Sequence, residues 1–272
     1  MAVNSLLLGI LAGVLQGVAE WLPVSSKTMV LLLLLISGYS AQIAYVVGLA
    51  GNAGTAAAAA IYFRRELWEA LRSIQSGSDE ARSLLVFLVV ATFTTALIGV
   101  PLYVLVKESF REVHAAGAML VIGVLLIATS LVSLKREKLL AEGVGWKEKA
   151  GLKEAVIAGL AQGLAVLPGI SRSGTTITAL LLMGLKAEDS LRYSFMMAVP
   201  ACIGAGLVDL AVGGRGLGAV DFQLGSALLV VSAVVGIATL KALLMAARRF
   251  RFSVFTGILG VIAVAASTLM WV

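Results

Sequence analysis

Long apolar runs alternate with short polar connections along the whole chain. Residues 40–63, 83–106, 116–134, 190–212, 222–245 and 252–271 are each predominantly apolar, and each matches the roughly 20 residues that a helix needs to cross the hydrocarbon of a bilayer. The pattern predicts an all-α, polytopic membrane protein with about six transmembrane helices. Two further apolar segments, 3–38 and 153–186, are each interrupted midway by proline, serine and one basic residue. Proline removes a backbone donor and pushes the residue before it out of the helical region. Each segment is therefore expected to form two half-helices that meet at a polar turn, a re-entrant hairpin. Non-helical backbone survives at membrane depth only where protein or a water-filled cavity covers it.

The two interruptions resemble each other. Gln16-Gly17-Val18-Ala19-Glu20-Trp21-Leu22-Pro23 runs into Val24-Ser25-Ser26-Lys27-Thr28, and Gln162-Gly163-Leu164-Ala165-Val166-Leu167-Pro168 runs into Gly169-Ile170-Ser171-Arg172-Ser173. Setting Pro23 on Pro168 pairs Ser26 with Ser171, Lys27 with Arg172 and Thr28 with Ser173, whereas Gln-Gly aligns one residue further on. A chance likeness between two helix–Pro–Ser breaks is the alternative. As a repeat, the chain is one membrane domain, 1–272, with a first copy over about 1–134 and a second over about 150–272.

The charges orient the copies. Of 21 Lys and Arg, sixteen fall in the connections 64–82, 135–153, 186–192 and 241–251, while Lys107, Arg111 and Arg215 fall in the connections between them. Lysine and arginine accumulate on the cytoplasmic side, so the sixteen mark the inside. Tracing the chain then opens the first hairpin outward and the second inward, an inverted-topology repeat with both polar turns near the midplane.

Composition narrows the classes that remain. The chain is 60% hydrophobic and 13% charged, about half the charge of a soluble domain, which places it in the cell membrane as a multi-pass protein. The net charge of +6 follows from the cytoplasmic bias, and without a basic patch interleaved with aromatics there is no case for nucleic acid. One Cys, Cys202, and one His, His114, exclude a disulfide and a His/Cys metal centre, so any metal would need oxygen ligands.

Of fifteen acidic residues, Glu20 alone lies deep inside an apolar segment, and the cations at comparable depth are Lys27 and Arg172, one in each interruption. Ionisable groups at that depth are expensive and mark function, with a partner nearby. An internal Glu–Arg ion pair that locks the copies together would be the structural alternative. Gly169-Ile170-Ser171-Arg172-Ser173-Gly174-Thr175-Thr176 opens the second half-helix, whose unpaired amides and positive dipole end favour an anion. Its hydroxyls can donate to oxyanions and its arginine can clamp two phosphate oxygens at once. Val24-Ser25-Ser26-Lys27-Thr28 repeats the design with lysine as a point charge. Ordinary N-capping explains one hydroxyl per break but leaves two cations in hydrocarbon unexplained.

Gln16-Gly17-x-x-Glu20-Trp21-Leu22-Pro23-Val24-Ser25-Ser26 and Leu167-Pro168-Gly169-Ile170-Ser171-Arg172-Ser173-Gly174 are similar to the two signature motifs of the undecaprenyl-diphosphatase family, the bacitracin-resistance type of polyprenyl-diphosphate phosphatase. Phe63-Arg64-Arg65-Glu66-Leu67 and Arg192-Tyr193-Ser194-Phe195, followed by Pro200, agree with it as well. The resemblance implies a membrane enzyme that removes the terminal phosphate of undecaprenyl diphosphate to regenerate a lipid carrier. Its partners are then a polyprenyl diphosphate and membrane lipids, and a homodimer is compatible with it. It implies Mg²⁺ or Ca²⁺, with Glu20 as the candidate metal ligand. Carried over by position, the acidic pair of the family falls on Gln16 and Glu20, and its phosphate-contacting groups on Ser26, Ser171, Arg172 and Thr176. Glu20, Ser26 and Arg172 are the expected catalytic residues, and Gln16, Lys27, Ser171, Arg172, Ser173 and Thr176 the expected phosphate contacts. Many bacterial members carry histidine three residues past Ser26, where this chain has Met29. That departure resembles archaeal members and admits a dolichol-type carrier. A carrier that moves a polyprenyl phosphate across the bilayer is the alternative function, since inverted repeats around a midplane anion site are also a transporter design; an anion channel is a more distant one.

Overall fold

A computed structural model describes residues 4–109, 120, 123–124, 126–128, 130–131, 147, 149–167, 170–211, 220–249 and 251–269. Ten helices have their bounds among the described residues: α1 (Ser5–Ala19), α2 (Ser26–Ile36), α3 (Ala41–Tyr62), α4 (Arg64–Arg72), α5 (Asp79–Ser109), α6 (Leu152–Leu164), α7 (Arg172–Leu182), α8 (Ala187–Ala211), α9 (Phe222–Arg249) and α10 (Phe252–Leu269). Every described position between 120 and 131 is helical too, in the region of the expected 116–134 span. Among the described residues there is no strand, only an isolated backbone pairing between Lys147 and Leu185. Two helices, Asp79–Leu105 and Phe222–Arg249, are long and apolar enough to cross a bilayer, and α1, α2 and Ser253–Thr268 are shorter apolar helices.

Both interrupted segments break where the sequence places the break. The first becomes α1 and α2 around the Glu20–Ser25 turn, and the second becomes α6 and α7. Each second helix is eleven residues long and closes in the same way. Gly38 (φ 88°) and Gly184 (φ 91°) take left-handed backbone, and Tyr39 N donates to Leu34 O as Leu185 N donates to Leu180 O. That is a Schellman cap, which glycine forms without strain. The caps at the other end are Ser25 and Ser171. From cap to cap, therefore, Ser25 pairs with Ser171 and Ser26 with Arg172, one residue off the pairing set on the prolines. Two residues separate Pro23 from the start of its helix-capping serine position and three separate Pro168, so the shift is recovered in the turn.

The first helix of each hairpin packs on a long helix from the other half of the chain. A β-carbon on Gly13 of α1 would lie 2.7 Å from Val231 Cβ of α9, and one on Gly17 2.8 Å from Val235 Cβ. On α6, a β-carbon on Gly163 would lie 2.9 Å from Ile98 Cβ of α5. Small residues let helix backbones approach closely where lipid offers no hydrophobic drive for association. One apolar core gathers Trp21, Phe63, Phe87, Ile177, Leu180, Leu191 and Phe195; a second lies between α1, α2, α3 and α9 around Leu8, Val30, Leu34 and Leu228.

Helix α4 is a finding, because 64–82 reads in the sequence as a connection. Nine residues mixing four apolar or aromatic side chains with five charged ones are too short and too polar for a span, and the helix exists by packing Leu67 on the core and burying Ala70. It also explains why the Phe63–Leu67 and Arg192–Phe195 segments occur together. Arg192 pairs with Glu66 at 3.3 Å, Phe63 and Phe195 are buried in one core, and Tyr193 packs on Phe87 at 4.5 Å. His114, residues 213–218, Pro168 and Gly169 lie outside the described residues.

Candidate active site

Glu20 caps the C-terminus of α1, its N–H donating to Gln16 O, and is buried. Its carboxylate accepts three donors. Arg172 Nη2 reaches Oε1 at 2.8 Å, while Ser26 Oγ at 2.5 Å and Gln16 Nε2 at 2.8 Å reach Oε2. Ser26 opens α2 and Arg172 opens α7, so one carboxylate joins the two helix breaks. The Glu–Arg ion pair that the sequence offered as an alternative to a ligand site is thus present, and it is part of the site.

Arg172 is held on three sides. Nη1 donates to Ser194 O at 3.1 Å, Nη2 to Glu20, and the guanidinium lies over Trp21 with its centre 5.8 Å from the ring centroid. Trp21 is itself fixed by its indole N–H donating to Gly236 O at 2.9 Å and by an edge contact with Phe195. A planar guanidinium keeps further N–H donors beyond the two so used.

The cleft between the breaks is lined by Glu20, Val24, Ser25, Ser26, Lys27, Ile170, Ser171 and Arg172. The first turns of α2 and α7 both end in it, each with a cation in its first turn, where the helix dipole disfavours positive charge. Two cations and two helix N-termini facing one carboxylate make the cleft a receptor for an anion.

The expected phosphate contacts divide into two groups. Ser26, Lys27, Ser171 and Arg172 line the cleft. Gln16, Ser173 and Thr176 do not, and their polar atoms tie elements together. Ser173 Oγ donates to Leu22 O at 2.7 Å, as Ser171 Oγ does at 3.2 Å, fastening the second break to the turn of the first. Ser171 Oγ also accepts from Gly174 N, so capping accounts for that hydroxyl. Thr176 is fully buried and shares a 2.6 Å hydrogen bond with Ser194 Oγ. Gln16 bridges Glu20 and Asn52 Oδ1 from behind. Sequence reasoning missed Asn52, Ser194 and Ser25 as site members; Ser194 stood in a family-like segment, but nothing in the chain placed Asn52 of α3 beside Gln16. Met29 packs with Val24, Ala19 and Ala266, so the motif histidine has an apolar side chain in its place.

The donor set does not suit Mg²⁺ or Ca²⁺. Among the described residues Glu20 is the one carboxylate lining the cleft, and all three of its donors compete with a metal. Among the described residues no three His, Cys, Asp or Glu side chains come together to hold an ion. The buried Gln16 Oε1 lacks a hydrogen-bond partner, but a single neutral oxygen does not offset two adjacent cations. Mg²⁺ can be held by one or two carboxylates together with waters and substrate phosphates, but the carboxylate here is already taken by an arginine, a serine and a glutamine.

Apolar helices too hydrophobic for water, broken at two points around an ion-paired anion cleft, define a helical membrane protein with an internal polar site. The comparisons give the particular family. The chain matches the family described as bacitracin resistance protein BacA over residues 9–265, and it belongs to that family. It is 37% identical to the undecaprenyl-diphosphatase of Pyrobaculum aerophilum, covering 94% of this chain and 95% of that protein. With the Haloarcula marismortui protein of the same name the identity is 39%, covering 95% and 97%, and with that of Saccharolobus solfataricus 37%, covering 96% and 95%.

Proposed function

We propose that the chain is a membrane phosphatase that hydrolyses undecaprenyl diphosphate, or a related polyprenyl diphosphate, to the monophosphate and inorganic phosphate and so recycles a lipid carrier. The single observation that carries the chemistry is the 2.5 Å hydrogen bond from Ser26 Oγ to Glu20 Oε2, a nucleophile paired with a base. Arg172 beside the same carboxylate supplies a cation for the phosphoryl group. The family and the name shared by its relatives supply the substrate.

In this reading the prenyl chain stays in lipid and the diphosphate enters the cleft. Ser26 Oγ attacks the terminal phosphorus, its proton passes to Glu20, and the bond from that phosphorus to the bridging oxygen breaks. The prenyl monophosphate departs with the electron pair of that bond. Glu20 passes that proton to the departing oxygen. Water then attacks the phosphoserine, giving a proton to Glu20, and the bond from phosphorus to Ser26 Oγ breaks as Oγ takes the proton back and inorganic phosphate leaves. Arg172 offers N–H donors to the oxygens on which charge accumulates, the main catalytic task in phosphoryl transfer. Its own hydrogen bonds to Glu20 and Ser194 keep the fork oriented before substrate arrives.

The finer architecture belongs to the same proposal. About six spans and two re-entrant hairpins form an inverted repeat, the first hairpin opening outward and the second inward. The shared spacing of caps, Schellman turns and glycine contacts supports it, as does the division of basic residues. The carrier alternative gains nothing from the relatives, which bear a hydrolase name.

Phosphate release from a polyprenyl diphosphate by the purified protein tests the reading. Steady turnover that disappears in Ser26→Ala is expected. Movement of polyprenyl phosphate between leaflets without phosphate release would replace it by the carrier.

A further inference from the structure

Lys27 is the one charged residue of the cleft for which the chemistry above has no use. It lines the cleft with Glu20, Ser26 and Arg172. Unlike Arg172, it makes no hydrogen bond or ion pair among the described residues, although Glu20 is near and accepts three other donors. It sits at the second position of α2, where the helix dipole opposes a cation. A cation held without a partner in such a place needs an anion from outside the chain.

The charge of the site points the same way. Glu20, Lys27 and Arg172 sum to one positive charge before substrate binds. The incoming diphosphate carries several negative charges, and two fixed cations already meet it. A divalent ion would have to share Glu20 with Arg172, between two like charges and without a second carboxylate.

We propose that this chain hydrolyses its diphosphate without a divalent cation, Lys27 supplying in the cleft the positive charge that a metal ion would otherwise bring. The inference rests on the phosphatase reading. In the reaction already written, the ammonium of Lys27 stands against the charge that develops as the bond to the bridging oxygen breaks. Its part is electrostatic and transfers no proton, so no atom or electron is added to the balance.

Two measurements on the full-length protein in detergent or liposomes test it. The first is phosphate release from a polyprenyl diphosphate after chelation with EDTA, compared with added Mg²⁺ or Ca²⁺. Turnover in EDTA within about threefold of that with metal is expected, since a fixed ammonium does the work of the ion. Wild-type turnover that vanishes in EDTA and returns with metal overturns the proposal. Absence of phosphate release under every condition removes the phosphatase reading, and this inference with it. The second is calorimetric titration of the substrate-free protein with Mg²⁺ or Ca²⁺ alone. No saturable binding is expected, and saturable binding abolished in Glu20→Gln overturns the proposal.

Variants separate charge from packing. Lys27→Met keeps a long apolar stem and loses the charge, and its turnover in EDTA should fall by about 10²-fold or more. Lys27→Arg keeps the charge and should lose at least tenfold less than Lys27→Met. Equal activity of Lys27→Met and wild type in EDTA would sink the assignment. Should Lys27→Met fail to fold, the chelation and titration arms on the wild-type protein still decide.

Discussion

At the scale of single residues the site is a set of short polar contacts around Glu20, and each contact has a separable consequence. Glu20→Gln keeps the shape and removes both the base for Ser26 and the charge that orients Arg172. Turnover should fall by roughly 10²–10⁴-fold, as for loss of an acid–base group, while phosphate-analogue binding is kept because both cations remain. Wild-type turnover in that variant would remove Glu20 from the chemistry. Arg172→Lys keeps the charge, but a lysine cannot reach Ser194 O and Glu20 Oε1 together and offer a planar fork to phosphate. A loss of at least about tenfold in kcat/KM is expected. A structural ion pair alone would behave differently: the double charge reversal Glu20→Arg with Arg172→Glu would then restore the fold and activity together. Gln16, Ser173 and Thr176 carry no such expectation, since their side chains hold neighbouring elements and do not face the cleft.

At the scale of elements, the hairpins stand where they do because glycine permits two things. It permits the left-handed turn at Gly38 and Gly184, and it permits α1 and α6 to lie close against α9 and α5. Close approach is testable without touching the cleft. Gly13→Ala places a β-carbon 2.7 Å from Val231 Cβ, and overpacking of this kind costs about 1–3 kcal/mol. Gly204→Ala on α8 meets nothing within 4 Å and should be neutral or stabilising by up to about 1 kcal/mol. Thermal unfolding in detergent should therefore lower Tm for the first and leave or raise it for the second. Equal shifts would mean that the glycines on α1 do not set the helix spacing. The short helix α4 illustrates the reverse situation, an element that exists by packing Leu67 on the core and burying Ala70 rather than by its own length.

At the scale of the whole molecule, the two halves are joined by exchange: α1 of the first hairpin lies on α9, α6 of the second lies on α5, and the cleft forms where the two breaks meet. The proposed orientation in the membrane rests on the sixteen basic residues gathered in four connections and the cytoplasmic preference of lysine and arginine. Single cysteines introduced into a Cys202→Ala background should label from outside in the 107–115 and 213–221 connections. Those in 64–82 and 135–153 should stay protected from an impermeant reagent. The opposite pattern would reverse the proposed orientation.

Several features were legible in the chain before any folding, because local chemistry decides them. Apolar length and the placing of Pro23 and Pro168 gave the helices and the two breaks, since a proline or a polar turn in hydrocarbon leaves few conformations open. The isolation of Glu20, Lys27 and Arg172 in apolar sequence marked the site, since a charge at that depth needs a partner. Other features depended on which surfaces meet. Asn52 beside Gln16, Ser194 O beneath Arg172, Leu22 O beneath Ser171 and Ser173, and Trp21 against Gly236 join residues from 22 to 215 positions apart, and no periodicity encodes such contacts. The division of the hydroxyls between cleft and scaffold is of the same kind. Ser26 and Ser173 are both serines in the first turn of a broken helix, and only packing turns one toward Glu20 and the other toward the opposite turn.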